Sequence, residues 1–196
     1  MTDTPRRMVI LAGPNGAGKT TLAKYLLPLG SDILQFVNAD QIASGLSAFS
    51  PESVAFEAGR VMLRRIDVLM REGTSFAFET TLSSKSMAGR ISKARLLGYK
   101  IELIYVALPS VQLAKRRVLA RVRKGGHAIP QDVIERRFYR SLWNLQQIYA
   151  HQVDRWWVFE NAQLTTPQLV ARGGGGRTDI FLEDTWNKLS KLAQKR

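Results

Sequence analysis

The chain has 196 residues, 45% of them hydrophobic, which suits one domain with a substantial buried core. It contains no cysteine, which excludes disulfides and thiolate metal centres. Its 29 Lys and Arg against 16 Asp and Glu leave a net charge of +13, which points to phosphorylated or acidic partners.

The first apolar run, Arg7 to Ala12, ends in Gly13-Pro14 and reads as a buried strand. It is too short for a signal-peptide core or a membrane span, so the chain is expected to be soluble and cytoplasmic, with no membrane partner. Thr20 to Leu27 continues as a helix that Pro28 and Gly30 close, and Ile33 to Asn38 reads as a second strand. Ser50-Pro51 has the pattern of a helix N-cap followed by proline at the first helical position. Ala58, Met62, Ile66 and Leu69 then follow at helical steps, with Gly73 placed to end the helix. Ser75 to Glu79 is a third strand, and Lys85 to Leu97 a helix stopped by Gly98.

Lys100 to Leu108 is the clearest strand, apolar except at its start and at Glu102. Val111 to Arg123 and Gln131 to Tyr149 are long helices, and Arg155 to Glu160 is a fifth strand. Leu169 to Arg172 and Thr178 to Leu182 flank four glycines and predict a small hairpin, followed by a last helix from Glu183 to Gln194. Strands alternating with helices and carrying long apolar runs predict a single α/β domain with a parallel sheet covered on both faces by helices.

Gly13-Pro14-Asn15-Gly16-Ala17-Gly18-Lys19-Thr20 matches the phosphate-loop pattern G-x-x-x-x-G-K-[ST] at every fixed position, and Thr21 continues it. The glycines let the loop curl so that successive N–H groups face a phosphate, and the helix that begins there adds its free amides. Lys19 is expected to reach the β- and γ-phosphates, and the Thr20 hydroxyl to ligate Mg²⁺. The strand before and the helix after the motif supply the context it requires. ATP or GTP, with Mg²⁺, is the expected nucleotide.

Several P-loop classes are excluded by what is missing. The chain has no Leu-Ser-Gly-Gly-Gln signature of ABC transporters, no apolar strand ending in Asp-Glu, and no Asn-Lys-x-Asp guanine motif. Basic residues crowd Lys115 to Lys124, and Arg136, Arg137 and Arg140, on helical spacing. Readers of single-stranded nucleic acid instead interleave exposed aromatics with basic strand residues. Phosphate clamping is therefore favoured over a nucleic-acid groove, in the layout of a small-molecule kinase with an arginine-bearing lid.

The phosphate loop, Val37-Asn38-Ala39-Asp40, Phe78-Glu79-Thr80-Thr81-Leu82 and the segment with Gly125-Gly126-His127 together resemble the zeta toxin family. The resemblance runs from about Arg7 to Asn161. It implies a nucleotide-kinase-like P-loop fold and transfer of a γ-phosphoryl group to a nucleotide sugar, UDP-N-acetylglucosamine in the characterised toxins. It also implies a small antitoxin, which the basic surface would favour as an acidic one. The chain is most like short zeta-like proteins, which lack peripheral elements of the longer toxins.

The resemblance makes Asp40 the catalytic base; by itself Asp40 also fits as the cap of a helix starting at Gln41. Glu79 ends its strand where an acid can orient Mg²⁺ through water or bind a substrate hydroxyl, with Thr81 beside it; a helix-capping cluster is the plainer alternative. Arg117 and Arg121, and Arg136 and Arg140, are spaced four apart and share helix faces. Such pairs suit a clamp on the γ-phosphate and a substrate diphosphate, Arg121 and Arg136 being placed beside the lid loop. His127 is read as ordering that loop, and Gly173 to Gly176 as a hairpin tip rather than a second phosphate loop. Two rival functions stay open: a kinase acting on a nucleic-acid end, and a nucleotide-dependent ATPase or binding module without a phosphoryl acceptor.

Overall fold

In the computed structural model, residues 5–26, 33–126, 128–163 and 166–195 are described. The helix stop at Pro28 and Gly30 and the role given to His127 lie outside them. Seven strands form one sheet: β1 (Arg7–Ala12), β2 (Gln35–Val37), β3 (Phe76–Thr80), β4 (Lys100–Ala107), β5 (Arg155–Glu160), β6 (Gln168–Gly174) and β7 (Arg177–Ile180). Their order is β2-β3-β1-β4-β5-β6-β7, parallel from β2 to β5 and antiparallel thereafter. The expected hairpin is β6 and β7, and it extends the main sheet because β6 pairs directly with β5.

The helices are α1 (Lys19–Leu26), α2 (Ala39–Leu46), α3 (Ala55–Glu72), α4 (Ala88–Leu96), α5 (Val111–Arg123), α6 (Gln131–Gln147) and α7 (Glu183–Ala193). Alternation along β1 divides the core. Met8 and Ile10 pack into a large cluster with Ile66, Leu69, Phe76 and Phe138, whereas Val9 and Leu11 join a small one with Ala23 and Ala77. Both faces of the sheet are thus covered, as expected of parallel strands.

Local chemistry sets the element ends. Gly73 adopts φ +68° and its N–H reaches the carbonyls of Leu69 and Met70, closing α3. Ser110 caps α5 by accepting from the Leu113 N–H. Ser50 does not cap: its hydroxyl donates to Glu52, and a 3₁₀ turn at Pro51–Val54 leads into α3. α4 begins three residues later than Lys85. Before it, Leu82 takes φ +57° while almost fully buried. That conformation is costly for a non-glycine residue and persists because its surroundings fix it. The Leu82 N–H donates to Thr80 Oγ1, Asn144 donates to the Leu82 carbonyl, and Tyr149 donates to that of Ser84.

Candidate active site

The phosphate loop sits at the carboxyl end of β1, where three glycines are required by geometry. Gly13 (φ +140°) lies so close to β4 that a Cβ would stand 2.2 Å from the Val106 carbonyl oxygen. Gly16 and Gly18 adopt φ +78° and +88°, which side chains resist. Lys19 is buried and donates to the Pro14 carbonyl at 3.1 Å, folding back over the loop. Asn161, just beyond β5, donates from Nδ2 to the Ala17 carbonyl at 2.9 Å, and its own N–H donates to Ala107. The loop is thereby pinned to the edge of the sheet.

Strand order brings the remaining groups together. β3 lies between β1 and β2, with Glu79 in register with Leu11 and Phe78 with Val37. Glu79 therefore emerges between the phosphate loop and Asn38. Its Oε2 accepts from Thr20 Oγ1 at 2.6 Å and from Asn38 Nδ2 at 2.8 Å, and its Oε1 stands 3.5 Å from Lys19 Nζ. Asn38 also caps α2, its Oδ1 accepting from the N–H groups of Asp40 and Gln41. The capping role considered for Asp40 thus belongs to Asn38, which leaves the Asp40 carboxylate 61% exposed and 3.8 Å from Arg121. Glu79 likewise caps no helix.

These groups line one cleft of about 860 Å³, shared by Lys19, Thr20, Thr21, Asp40, Glu79 and Thr81. Asn15, Gly16 and Gly18 contribute to its floor; Pro14 and Ala17 act through their carbonyls. Across the cleft stand Arg117, Arg121 and Arg137. Arg136 and Arg140, expected as the second pair, are not among the residues that line it. Each helical residue advances about 100°. Ile134, Phe138 and Leu142 face the core, so Arg136 and Arg140 fall on the outer side of α6 while Arg137 lies on its flank. On α5, Ala114 and Val118 face inward and put Arg117 and Arg121 on the flank in the same way.

The cleft's electrostatics follow from burial. Desolvation lowers the pKa of Lys19, opposed by Glu79 and Asp40 and reinforced by Arg121. Burial also lowers the pKa of Arg137, with Asp40 acting against it, and that of Arg117, to which Arg116 adds. Arg117 donates one guanidinium nitrogen to the Ala162 carbonyl, and its buried NH1 has no protein partner. An anion in the cleft would relieve all three cations. For Mg²⁺ the donors fit: the Thr20 hydroxyl and the Glu79 carboxylate are adjacent hard oxygens. Among the described residues no cluster of three or more His, Cys, Asp or Glu could hold a metal unaided. Arg137, Asn38 and Asn161 were not singled out from the sequence. The signal for Asn38 was available in its cap position before α2, whereas the places of Arg137 and Asn161 depend on packing.

Similarity to known proteins follows the same lines. The family model described as Zeta toxin matches residues 2–166. An uncharacterized protein of Haemophilus influenzae is 29% identical over 133 residues, covering 67% of this chain and 92% of that protein. A chain of the AvrRxo1-ORF1:AvrRxo1-ORF2 complex, crystallised with sulphate ions, superposes with TM-score 0.76 at 20% identity; the match covers 96% of this chain and spans 64% of the other's length. The same complex with ATP gives 0.74 over 96% and 64% at 20% identity. A structure from the PezAT toxin-antitoxin system of Streptococcus pneumoniae gives 0.62 at 14% identity, over 100% of this chain and 88% of that one. The chain belongs to the zeta toxin family, with the parallel P-loop sheet of its kinases.

Proposed function

We propose that this protein is an ATP-dependent phosphotransferase of zeta-toxin type, moving the γ-phosphoryl group of ATP to a hydroxyl of a nucleotide sugar such as UDP-N-acetylglucosamine. The observation that carries this reading is the single cleft of about 860 Å³ lined both by Lys19 and by Asp40. In it, the loop amides and Lys19 hold the donor phosphates. Asp40 takes the proton from the acceptor hydroxyl, whose oxygen attacks the γ-phosphorus as the bond to the β–γ bridging oxygen breaks and ADP leaves. Arg117, Arg121 and Arg137 bear the charge spread over the transferring group, the main catalytic contribution in phosphoryl transfer. Thr20 and Glu79 would hold Mg²⁺, which when bound would neutralise charge on the phosphate oxygens. Glu79, tied to Thr20, Asn38 and Lys19, serves the metal side of the reaction rather than the acceptor, and Thr81 stands at the acceptor side.

An inhibiting partner fits the same reading. Solved relatives come from two-component complexes, and the +13 charge suits a small acidic antitoxin covering the cleft. The same charge favours one second reading, a kinase acting on a nucleic-acid end. Incubating the protein with γ-labelled ATP, Mg²⁺ and a panel of nucleotide sugars, nucleosides and oligonucleotides separates the two, with Lys19→Ala as control. Label on a nucleotide sugar supports the proposal. Label confined to oligonucleotides, with steep salt dependence, replaces it with the second reading. Release of phosphate alone, whatever is added, leaves an ATPase.

A further inference from the structure

A second cavity, of about 910 Å³, lies at the opposite edge of the sheet, where β4 and β5 begin. Its size falls within the range of small-molecule sites, roughly 300–1,000 Å³. Buried Tyr99, Leu145, Val153 and Trp156 give it an apolar floor, and Trp186 of α7 stacks on Trp156 at 5.9 Å between ring centroids, 11° from parallel. The outer lining is cationic. Arg95, Lys100 and Arg177 line the cavity with one carboxylate, Asp154, whose Oδ2 accepts from the Ile101 N–H at 2.8 Å, and Arg95 donates to the Gln152 carbonyl at 2.7 Å.

The four-glycine run builds one wall. A Cβ at Gly173 would stand 2.5 Å from the Trp156 ring, and one at Gly174 2.2 Å from the Asp154 carbonyl oxygen. Gly175 and Gly176, at φ +57° and +82°, make the tight turn. The glycines thus close the hairpin over Trp156 and carry Arg177 to the cavity mouth.

We propose that this cavity is a second ligand site, taking a small aromatic anion. Its ring would lie on the Trp156–Trp186 floor, and its carboxylate, sulfonate or phosphate among Arg95, Lys100 and Arg177. Indole rings offer flat contact area, and guanidinium groups bind such anions bidentately. The site is independent of the phosphate loop and of the function proposed for it.

The probe is 1-anilinonaphthalene-8-sulfonate, titrated against the full chain saturated with Mg-ATP and followed by its fluorescence and that of tryptophan. One equivalent is expected to bind with ATP present. Lys100→Glu/Arg177→Glu, both at exposed positions, should weaken it at least tenfold, and Ser190→Trp, which fills the cavity from α7, should block it. Unchanged ATP affinity in these variants reports an intact fold. Competition identifies the natural chemistry: displacement by UMP marks a nucleotide, and displacement by indole-3-carboxylate an aromatic acid. Loss of the probe on adding ATP, indifference to both variants, or failure of both competitors would overturn the proposal.

Discussion

Thr20 donates its hydroxyl proton to Glu79 across 2.6 Å, joining the first helical turn after the phosphate loop to the end of β3. Two residues 59 positions apart thereby present adjacent oxygens to one side of the nucleotide cleft, and Asn38 and Lys19 hold the carboxylate from its other sides.

Glu79→Gln tests that link. The amide oxygen can still accept from Thr20, but the negative charge beside Lys19 is gone. Mg²⁺-dependent tightening of ATP binding, measured by calorimetry with and without the metal, is expected to fall about 10- to 100-fold, the usual effect of disturbing groups around a metal. Metal-free ATP binding should change far less.

Asp40→Asn separates chemistry from folding. Asn38 provides the cap of α2 and Asp40 is largely exposed, so the midpoint of urea unfolding should barely move. Phosphotransfer in single-turnover assays should fall by roughly 10²- to 10⁴-fold, as for loss of a general base. An equal loss of ATP affinity would show instead that Asp40 serves only to hold Arg121.

The neighbouring arginines of α6 should behave oppositely. Arg137→Ala removes a half-buried guanidinium from the cleft and is expected to lower kcat about 10²- to 10³-fold, the scale of one preorganised charge-stabilising donor. Arg136→Ala, on the exposed face, should stay within about twofold, as surface changes usually do. Steady-state kinetics on the pair, with Arg140→Ala as a further exposed control, decides between them.

Lys19 carries a pH signature in the nucleotide-free protein. Its folded pKa lies below 10.5, chiefly because burial disfavours the ammonium. Between that lowered value and 10.5 the unfolded chain binds a proton that the folded chain does not, so stability contributed by this group rises with pH through the window. Below the window the penalty is fully present. The stability of wild type relative to Lys19→Met should therefore improve as pH approaches 10.5, measured by urea unfolding of both. Parallel profiles would contradict the burial penalty.

The strand, the left-handed glycines and the helix of the phosphate loop were legible in the sequence, because that geometry is local: Gly13, Gly16 and Gly18 set the backbone conformation and the helix follows at Lys19. The helix spacing of the arginines was legible too, but not which face would meet the cleft. Choosing Arg137 over Arg136 required knowing where the core lay, and only the packing of Ile134 and Phe138 reveals that. Leu82, buried in a left-handed conformation, carries no sequence signal, since the side chains that hold it come from Asn144 and Tyr149 on distant segments.

By itself the sequence determined a mostly parallel α/β sheet and a phosphate-loop motif at the end of its first strand, which follow from periodicity, glycine placement and a contiguous pattern. The family was visible only as a resemblance spread over four separate segments. The tertiary structure decided what strand order alone can decide. Placing β3 between β1 and β2 set Glu79 against Thr20 and Asn38, and extending β5 by an antiparallel hairpin closed a second cavity over Trp156. Neither arrangement is local in the chain, so neither leaves a pattern along it.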